Sequence, residues 1–129
     1  MVRLTPKAVR GGVLALASLG LLAACGEDKP LEPDLCAYAL EQSLRTPSNF
    51  KVDRMATGGR KQDGRELVTI QVWASYDGGG AEASCTFDRQ EKTTLLTTYF
   101  LDGRKIEGDA FIALTALVDR KKWELSMRR

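Results

Sequence analysis

The sequence predicts an α+β domain: an N-terminal helix, an antiparallel sheet of three to four strands and a C-terminal helix. Three observations lead there. Apolar residues recur every four positions at Cys36, Leu40 and Leu44. They alternate with polar residues on both sides of Asp77-Gly78-Gly79-Gly80, and they return to helical spacing at Phe111, Leu114, Leu117 and Val118. The 129 residues are 43% apolar and 28% charged, enough for one ordinary domain and too balanced for a wholly disordered chain.

Asp34 is a plausible N-cap for the first helix, whose apolar positions continue with Leu35 and Ala39 until Pro47 forbids another turn. Phe50 and Val52 then alternate with Lys51 and Asp53, a short strand that stops before Gly58-Gly59 and leads into a basic, glycine-containing loop. The clearest strand runs from Leu67 to Tyr76. It places Val68, Ile70, Val72, Ala74 and Tyr76 on one face and Thr69, Gln71, Trp73 and Ser75 on the other. After the glycine turn, Ala81, Ala83, Cys85 and Phe87 alternate with Glu82, Ser84, Thr86 and Asp88, which makes a hairpin. A fourth strand lies between Thr93 and Leu101 and ends at Asp102-Gly103. Asp109 then caps a last helix that runs to about Trp123.

The N-terminus is of a different kind. Arg3, Lys7 and Arg10 precede a stretch without charge from Gly11 to Gly26, shorter than the ~20 residues a membrane-spanning helix needs. This is the pattern of a secretory signal over residues 1–24. Its end, Leu22-Ala23-Ala24-Cys25, followed at once by polar residues, resembles the lipobox of bacterial lipoproteins. That resemblance implies that Leu22, Ala23 and Ala24 are read by the signal peptidase. It also implies that Cys25 becomes the lipidated first residue, held in the membrane by diacylglycerol and a further acyl chain at ~0.8 kcal/mol per buried methylene. Lipoproteins retained in the inner membrane often carry Asp after the Cys; here the residue is Gly26, so the resemblance implies the outer membrane, facing the periplasm. Removing three cations with the signal takes the formal charge from +2 to −1. A near-neutral exported domain does not suit nucleic acid. Residues 25–33, with Pro30 and Pro33, read as a short tether to a single domain over residues 34–129.

With Cys25 consumed by lipid, Cys36 and Cys85 are the pair left to oxidise in the periplasm; two buried free thiols are the alternative. Beyond the lipobox, Cys36, the run Leu44-Arg45-Thr46-Pro47-Ser48-Asn49-Phe50 and Cys85-Thr86-Phe87 are similar to a group of small exported bacterial proteins. These have a Cys-bearing helix, a Thr/Ser-Pro-Ser turn and a second Cys on a strand. The likeness covers residues 34–88, supports the fold and the disulfide, and supplies no catalytic residue. Where such proteins often carry Asn-Ala-Phe-Gly, this chain has Asp77-Gly78-Gly79-Gly80.

The absence of histidine excludes Ser-His-Asp and Cys-His hydrolysis and His-ligated zinc. Ser48 and Lys51 lack the helical S-x-x-K setting of a Ser-Lys dyad and read as a turn former and a surface charge. Glu107 and Asp109 suit a helix N-terminus. No calcium or zinc spacing is present and no metal or cofactor is expected. Gly78-Gly79-Gly80 is followed by a strand and lacks the Lys of a phosphate loop.

Two surface features remain. Basic residues gather at Arg60, Lys61 and Arg65, and again at Arg120, Lys121, Lys122, Arg128 and Arg129, where phosphate groups or simple solvation could account for them. Trp73, with Leu67, is a contact patch if its sheet face is bare and core if a helix covers it. The reading that follows is a lipid-anchored envelope protein, a non-catalytic binding or accessory module with an envelope protein as partner. The alternative is a small-ligand-binding domain or a His-independent periplasmic enzyme with a pocket drawn from Thr94, Thr97, Thr98 and Tyr99.

Overall fold

The computed structural model describes residues 29–128. The signal segment, the lipobox residues Leu22, Ala23, Ala24 and Cys25, and the tether as far as Asp28 lie outside the described residues. Leu31–Arg128 form one compact unit with a hydrophobic core of their own.

Helix α1 spans Glu32–Ser43, and strands β1 (Lys51–Gln62), β2 (Arg65–Tyr76), β3 (Gly79–Gln90), β4 (Thr93–Leu101) and β5 (Arg104–Lys105) follow, before helix α2 (Gly108–Met127). The strands lie in sequence order in one antiparallel sheet. It has five strands where three to four were expected. Strand β1 runs through Gly58-Gly59 without stopping, because every residue from Met55 to Gln62 finds a partner on β2. The expected basic loop is therefore strand, and the chain reverses in two residues, Asp63 and Gly64. Both have positive φ (52° and 78°), the conformation a tight hairpin needs. Asp102-Gly103, with φ of 49° and 82°, makes the same turn into the short β5.

Helix α1 begins at Glu32, inside the stretch read as tether. Leu31 occupies the N-cap position and no side chain caps the helix, so Asp34 is a first-turn residue whose charge favours the dipole. Asp109 likewise lies in the first turn of α2, with Glu107 at the N-cap position. Helix α2 continues past Trp123 to Met127.

Both helices sit on one side of the sheet. Leu35, Cys36, Ala39 and Leu40 of α1 are completely buried against Ile70 and Val72 of β2, Cys85 and Phe87 of β3 and Tyr99 of β4; Leu114 and Val118 of α2 complete the core. Burial of this apolar area is the main stabilising term. Cys36 and Cys85 are joined in a disulfide that closes a loop of 49 residues between helix and sheet. Tyr99 is the one large polar side chain among the fully buried ones. Its hydroxyl lies 2.8 Å from Ser43 Oγ, and burial pushes its pKa up to about 12. The linker between α1 and β1 is tied to the second hairpin. Asp77 N–H donates to the Ser48 carbonyl (3.0 Å) and Asn49 Nδ2 to Asp77 Oδ2 (2.9 Å), which gives Ser48 a structural place.

Candidate functional site

No helix of the described residues covers the second face of the sheet. The register builds it row by row. Arg54 of β1, Trp73 of β2 and Glu82 of β3 stand side by side; next come Ala56, Gln71, Ser84 and Phe100, then Gly58, Thr69, Thr86 and Thr98, and finally Arg60, Leu67, Asp88 and Leu95. Trp73 and Leu67 thus lie on the bare face, and they are half-buried by their strand neighbours alone.

The indole of Trp73 is held by Arg54, whose guanidinium carbon stands 3.9 Å from the ring centroid. Stacking of this kind orients both groups and leaves the guanidinium N–H groups available at the edge of the ring. Toward the middle of the face Thr69 and Thr86 share a hydrogen bond of 3.3 Å, and Thr97, displaced outward by a bulge in β4, donates to the Thr86 carbonyl at 3.1 Å. Ser84, Gln71 and Thr98 add further hydroxyl and amide groups. Leu95 is 40% exposed at the far end. The surface is uncharged in its two central rows; Trp73 stands between Arg54 and Glu82 at one end, and Leu67 and Leu95 stand with Arg60 and Asp88 at the other. It can bind by packing and hydrogen bonding, and it holds no nucleophile paired with a base.

A second feature is a shallow cleft of about 460 Å³ at the end of the β1–β2 hairpin, lined by Lys61, Gly64, Arg65, Glu66, Arg89, Gln90 and Glu91. Most of its charges are already spent. Arg89 reaches both carboxylate oxygens of the buried Glu32, at 2.8 and 3.0 Å, and approaches Glu66 at 3.5 Å. Burial alone would raise the Glu32 pKa. Hydrogen bonding to the carboxylate, led by the Arg89 guanidinium, together with the Arg89 charge outweighs that and holds the carboxyl below its usual range. Arg65 binds Oδ2 of the buried Asp88 through Nε at 2.9 Å and through Nη2, and this bonding raises the guanidinium pKa further. Asp88 Oδ1 and Thr94 Oγ1 are buried without a hydrogen-bond partner among the described residues.

The remaining candidates do not assemble into one site. Arg60 and Lys61 are neighbours in β1 and so project from opposite faces of the strand. Lys122 binds the Thr94 carbonyl (2.9 Å), Thr93 Oγ1 (3.2 Å) and Asp119 (3.5 Å); Lys121 pairs with Glu124 at 3.9 Å and lies over the Tyr38 ring. Of the three helical cations Arg120 alone is strongly exposed. The pocket expected from Thr94, Thr97, Thr98 and Tyr99 is not formed. Strand alternation and the bulge send Tyr99 and Thr94 into the helix side and leave Thr97 and Thr98 on the bare face. Lys51 pairs with Asp53 at 3.7 Å. Among the described residues no three His, Cys, Asp or Glu side chains gather as a metal would require.

Sequence reasoning missed Arg54, Thr69, Thr86 and Phe100. Their place beside Trp73 depends on the pairing of β1 with β2, whose register shifts between Val52 and Arg54, and on the bulge in β4. The alternation of β2 and β3 already contained Thr69 and Thr86; which face would stay bare was the missing fact. The chain matches no known family, no curated protein and no solved structure.

Proposed function

We propose that this protein is a lipoprotein of the bacterial envelope, anchored through Cys25, whose folded domain is a non-catalytic binding module. The observation that carries the binding role is the bare sheet face, with Trp73 stacked under Arg54 and a central row of hydroxyl groups. Half-buried aromatic side chains beside an arginine are the composition of protein-binding hot spots, and a face of about four strands offers the area such contacts use. The envelope partner is a protein, and the domain meets it close to the outer membrane. The anchor rests on the Leu22-Ala23-Ala24-Cys25 sequence and the charged, apolar leader before it.

The experiment has two arms. Metabolic labelling with palmitate follows lipidation, and Cys25→Ser is expected to abolish the label; a label that survives it would remove the anchor. In-cell photocrosslinking from position 73, with position 60 as a second site on the same face, is expected to capture one recurrent envelope protein. Scattered products from both positions would overturn the binding role.

A further inference from the structure

The folded unit begins at Leu31, and the start of α1 lies at the same end of the molecule as the last two turns of α2. One ladder pair joins them. Arg89 of β3 faces Thr94 of β4; Arg89 binds Glu32, the first residue of α1, at 2.8 and 3.0 Å, and Lys122 of α2 binds the Thr94 carbonyl at 2.9 Å. The tether therefore enters the fold beside the stretch of α2 that begins at Lys122.

That stretch carries exposed apolar groups. Trp123 is 66% exposed and Met127 68%, on the side of the helix turned away from Val118 and Leu125, which pack on the core. At 100° per residue the two lie about 40° apart, with Arg120 about 20° beyond Met127. Residues 119–129 hold five cations and two carboxylates, in a chain whose formal charge without its leader is −1. Both carboxylates already have a lysine: Asp119, at the other edge of Trp123, approaches Lys122 at 3.5 Å, and Glu124 approaches Lys121 at 3.9 Å. Arg120 and Arg128 are exposed and pair with no carboxylate among the described residues. An indole and a thioether flanked by unspent cations suit a phospholipid headgroup layer. Tryptophan settles at that boundary, and each cation near an anionic surface contributes about 1 kcal/mol.

The tether selects this occupant over a protein. From Cys25 to Leu31 is six residues, about 20 Å even fully extended. With Cys25 in the membrane, the start of α1 stays within that reach of the lipid and brings the end of α2 with it. Docking then takes place within one anchored molecule, at an effective concentration on the order of millimolar, so that a weak surface suffices. We infer that the domain rests on the anionic phospholipid surface that holds Cys25, through Trp123, Met127, Arg120 and Arg128. The inference rests on the anchored reading above and adds an orientation to it: α2 packs on the helix side of the sheet, so the face bearing Trp73 stays clear of the bilayer.

The test uses residues 25–129, which contain the compact unit and keep the Cys36–Cys85 bridge, so that Cys25 is the one free thiol. Coupling Cys25 to a maleimide phospholipid in vesicles supplies the anchor chemically. On vesicles of phosphatidylglycerol mixed with a phosphatidylcholine brominated in its acyl chains, wild type is expected to lose roughly a third to a half of its indole emission, and Trp123→Phe, which keeps only Trp73, almost none. Arg120→Glu with Arg128→Glu is expected to weaken the quenching at least ~3-fold, as is omission of the phosphatidylglycerol. Unquenched wild type would overturn the inference. So would quenching that survives Trp123→Phe, quenching indifferent to both charge changes, or a Trp123 shielded from acrylamide before any vesicle is present, the mark of a second copy or another protein on the patch. Palmitate labelling reads the anchor in the cell, while quenching reads docking on an anchor already supplied, so the two fail separately.

Discussion

The two faces of this sheet are built from the same strands in strict alternation, yet one is sealed by helices and the other is open. Against α1 stand Val68, Ile70, Val72, Ala83, Cys85 and Phe87, all buried. On the open side their immediate neighbours are Thr69, Gln71, Trp73, Ser84 and Thr86. The difference is one of uniformity. The sealed face is apolar in every central row, as a surface that must exclude water has to be. The open face is polar at its centre and mixes half-buried Trp73, Leu67 and Phe100 and exposed Leu95 with polar and charged neighbours. Stability belongs to the first face, and the recognition role proposed above belongs to the second; that division can be tested by treating the two faces alike.

The largest effect is expected at the link between the sealed face and α1. Replacing Cys36 and Cys85 together by Ala removes a cross-link over 49 residues and should cost about 4 kcal/mol by the chain-entropy relation. Urea unfolding of this variant and of the reduced wild type should agree. A cost below about 1 kcal/mol in both would place the stability of the sealed face in packing alone.

Paired neighbours on β2 come next. Ile70→Ala removes a side chain with no exposure from beneath the helix and should cost about 3 kcal/mol, whereas Thr69→Ala, one residue away on the open face, should stay within about 0.5 kcal/mol. Equal costs in thermal unfolding would mean that something covers both faces.

Period-two alternation is what made much of this legible. The core strands β2 and β3 and the extent of β4 follow from residue patterns, because a half-buried strand leaves a local signature; the Cys36–Cys85 pairing rests instead on elimination, with Cys25 assigned to lipid. The first strand left a weak one. Its outer half, Ala56-Thr57-Gly58-Gly59-Arg60-Lys61-Gln62, has no apolar alternation, since it is held by its ladder to β2 rather than by burial. The Asp63-Gly64 pair, passed over as part of a loop, is the local signal for this hairpin. The candidate site was legible at Trp73, Leu67 and Arg60, while Thr97 and Thr98 were read into a different pocket. Its other members come from register and bulges, and its openness depends on which side the helices choose, a tertiary fact that no single strand records.

The ion pair at the rim of the sealed face gives the third effect. Glu32 is buried while Arg89 is partly exposed, so Glu32→Gln, which leaves the guanidinium without its carboxylate, should cost about 2 kcal/mol. Because the Glu32 pKa is lower in the folded state, its contribution is fully present above the ordinary carboxylate range and is lost as pH falls through the depressed value. Wild type should therefore lose stability more steeply than the Gln variant as pH falls through the carboxylate range, with the two curves converging at low pH. Parallel curves would mean that Glu32 is not charged in the fold.

Tyr99 supplies an opposite dependence on the same face. Its pKa is raised, so its contribution is whole below the ordinary phenol value near 10 and is lost as pH rises toward about 12. At neutral pH Tyr99→Phe should cost about 1 kcal/mol, for the hydrogen bond to Ser43. Above pH ~10 that variant should overtake wild type, because it has no phenol for the unfolded chain to ionise.

The smallest effect on stability is expected on the open face, and there the comparison is sharpest. Arg54 covers the Trp73 ring from an exposed strand, and Arg54→Ala should cost no more than about 0.5–1 kcal/mol in urea unfolding. Removing a cation from above the ring should also shift the Trp73 emission; Trp123→Phe removes the other indole, so the signal is read from one residue. If Arg54 matters for recognition, the yield of crosslinks from position 60 should fall far more than stability does. Arg54→Lys should recover the stability but only part of the yield, since an ammonium keeps the charge over the ring and loses the planar donors beside it. A residue whose removal is cheap for the fold and costly for capture is what a face kept open for a partner should contain. A loss of both in proportion would return Arg54 and Trp73 to the ordinary work of holding β1 on β2.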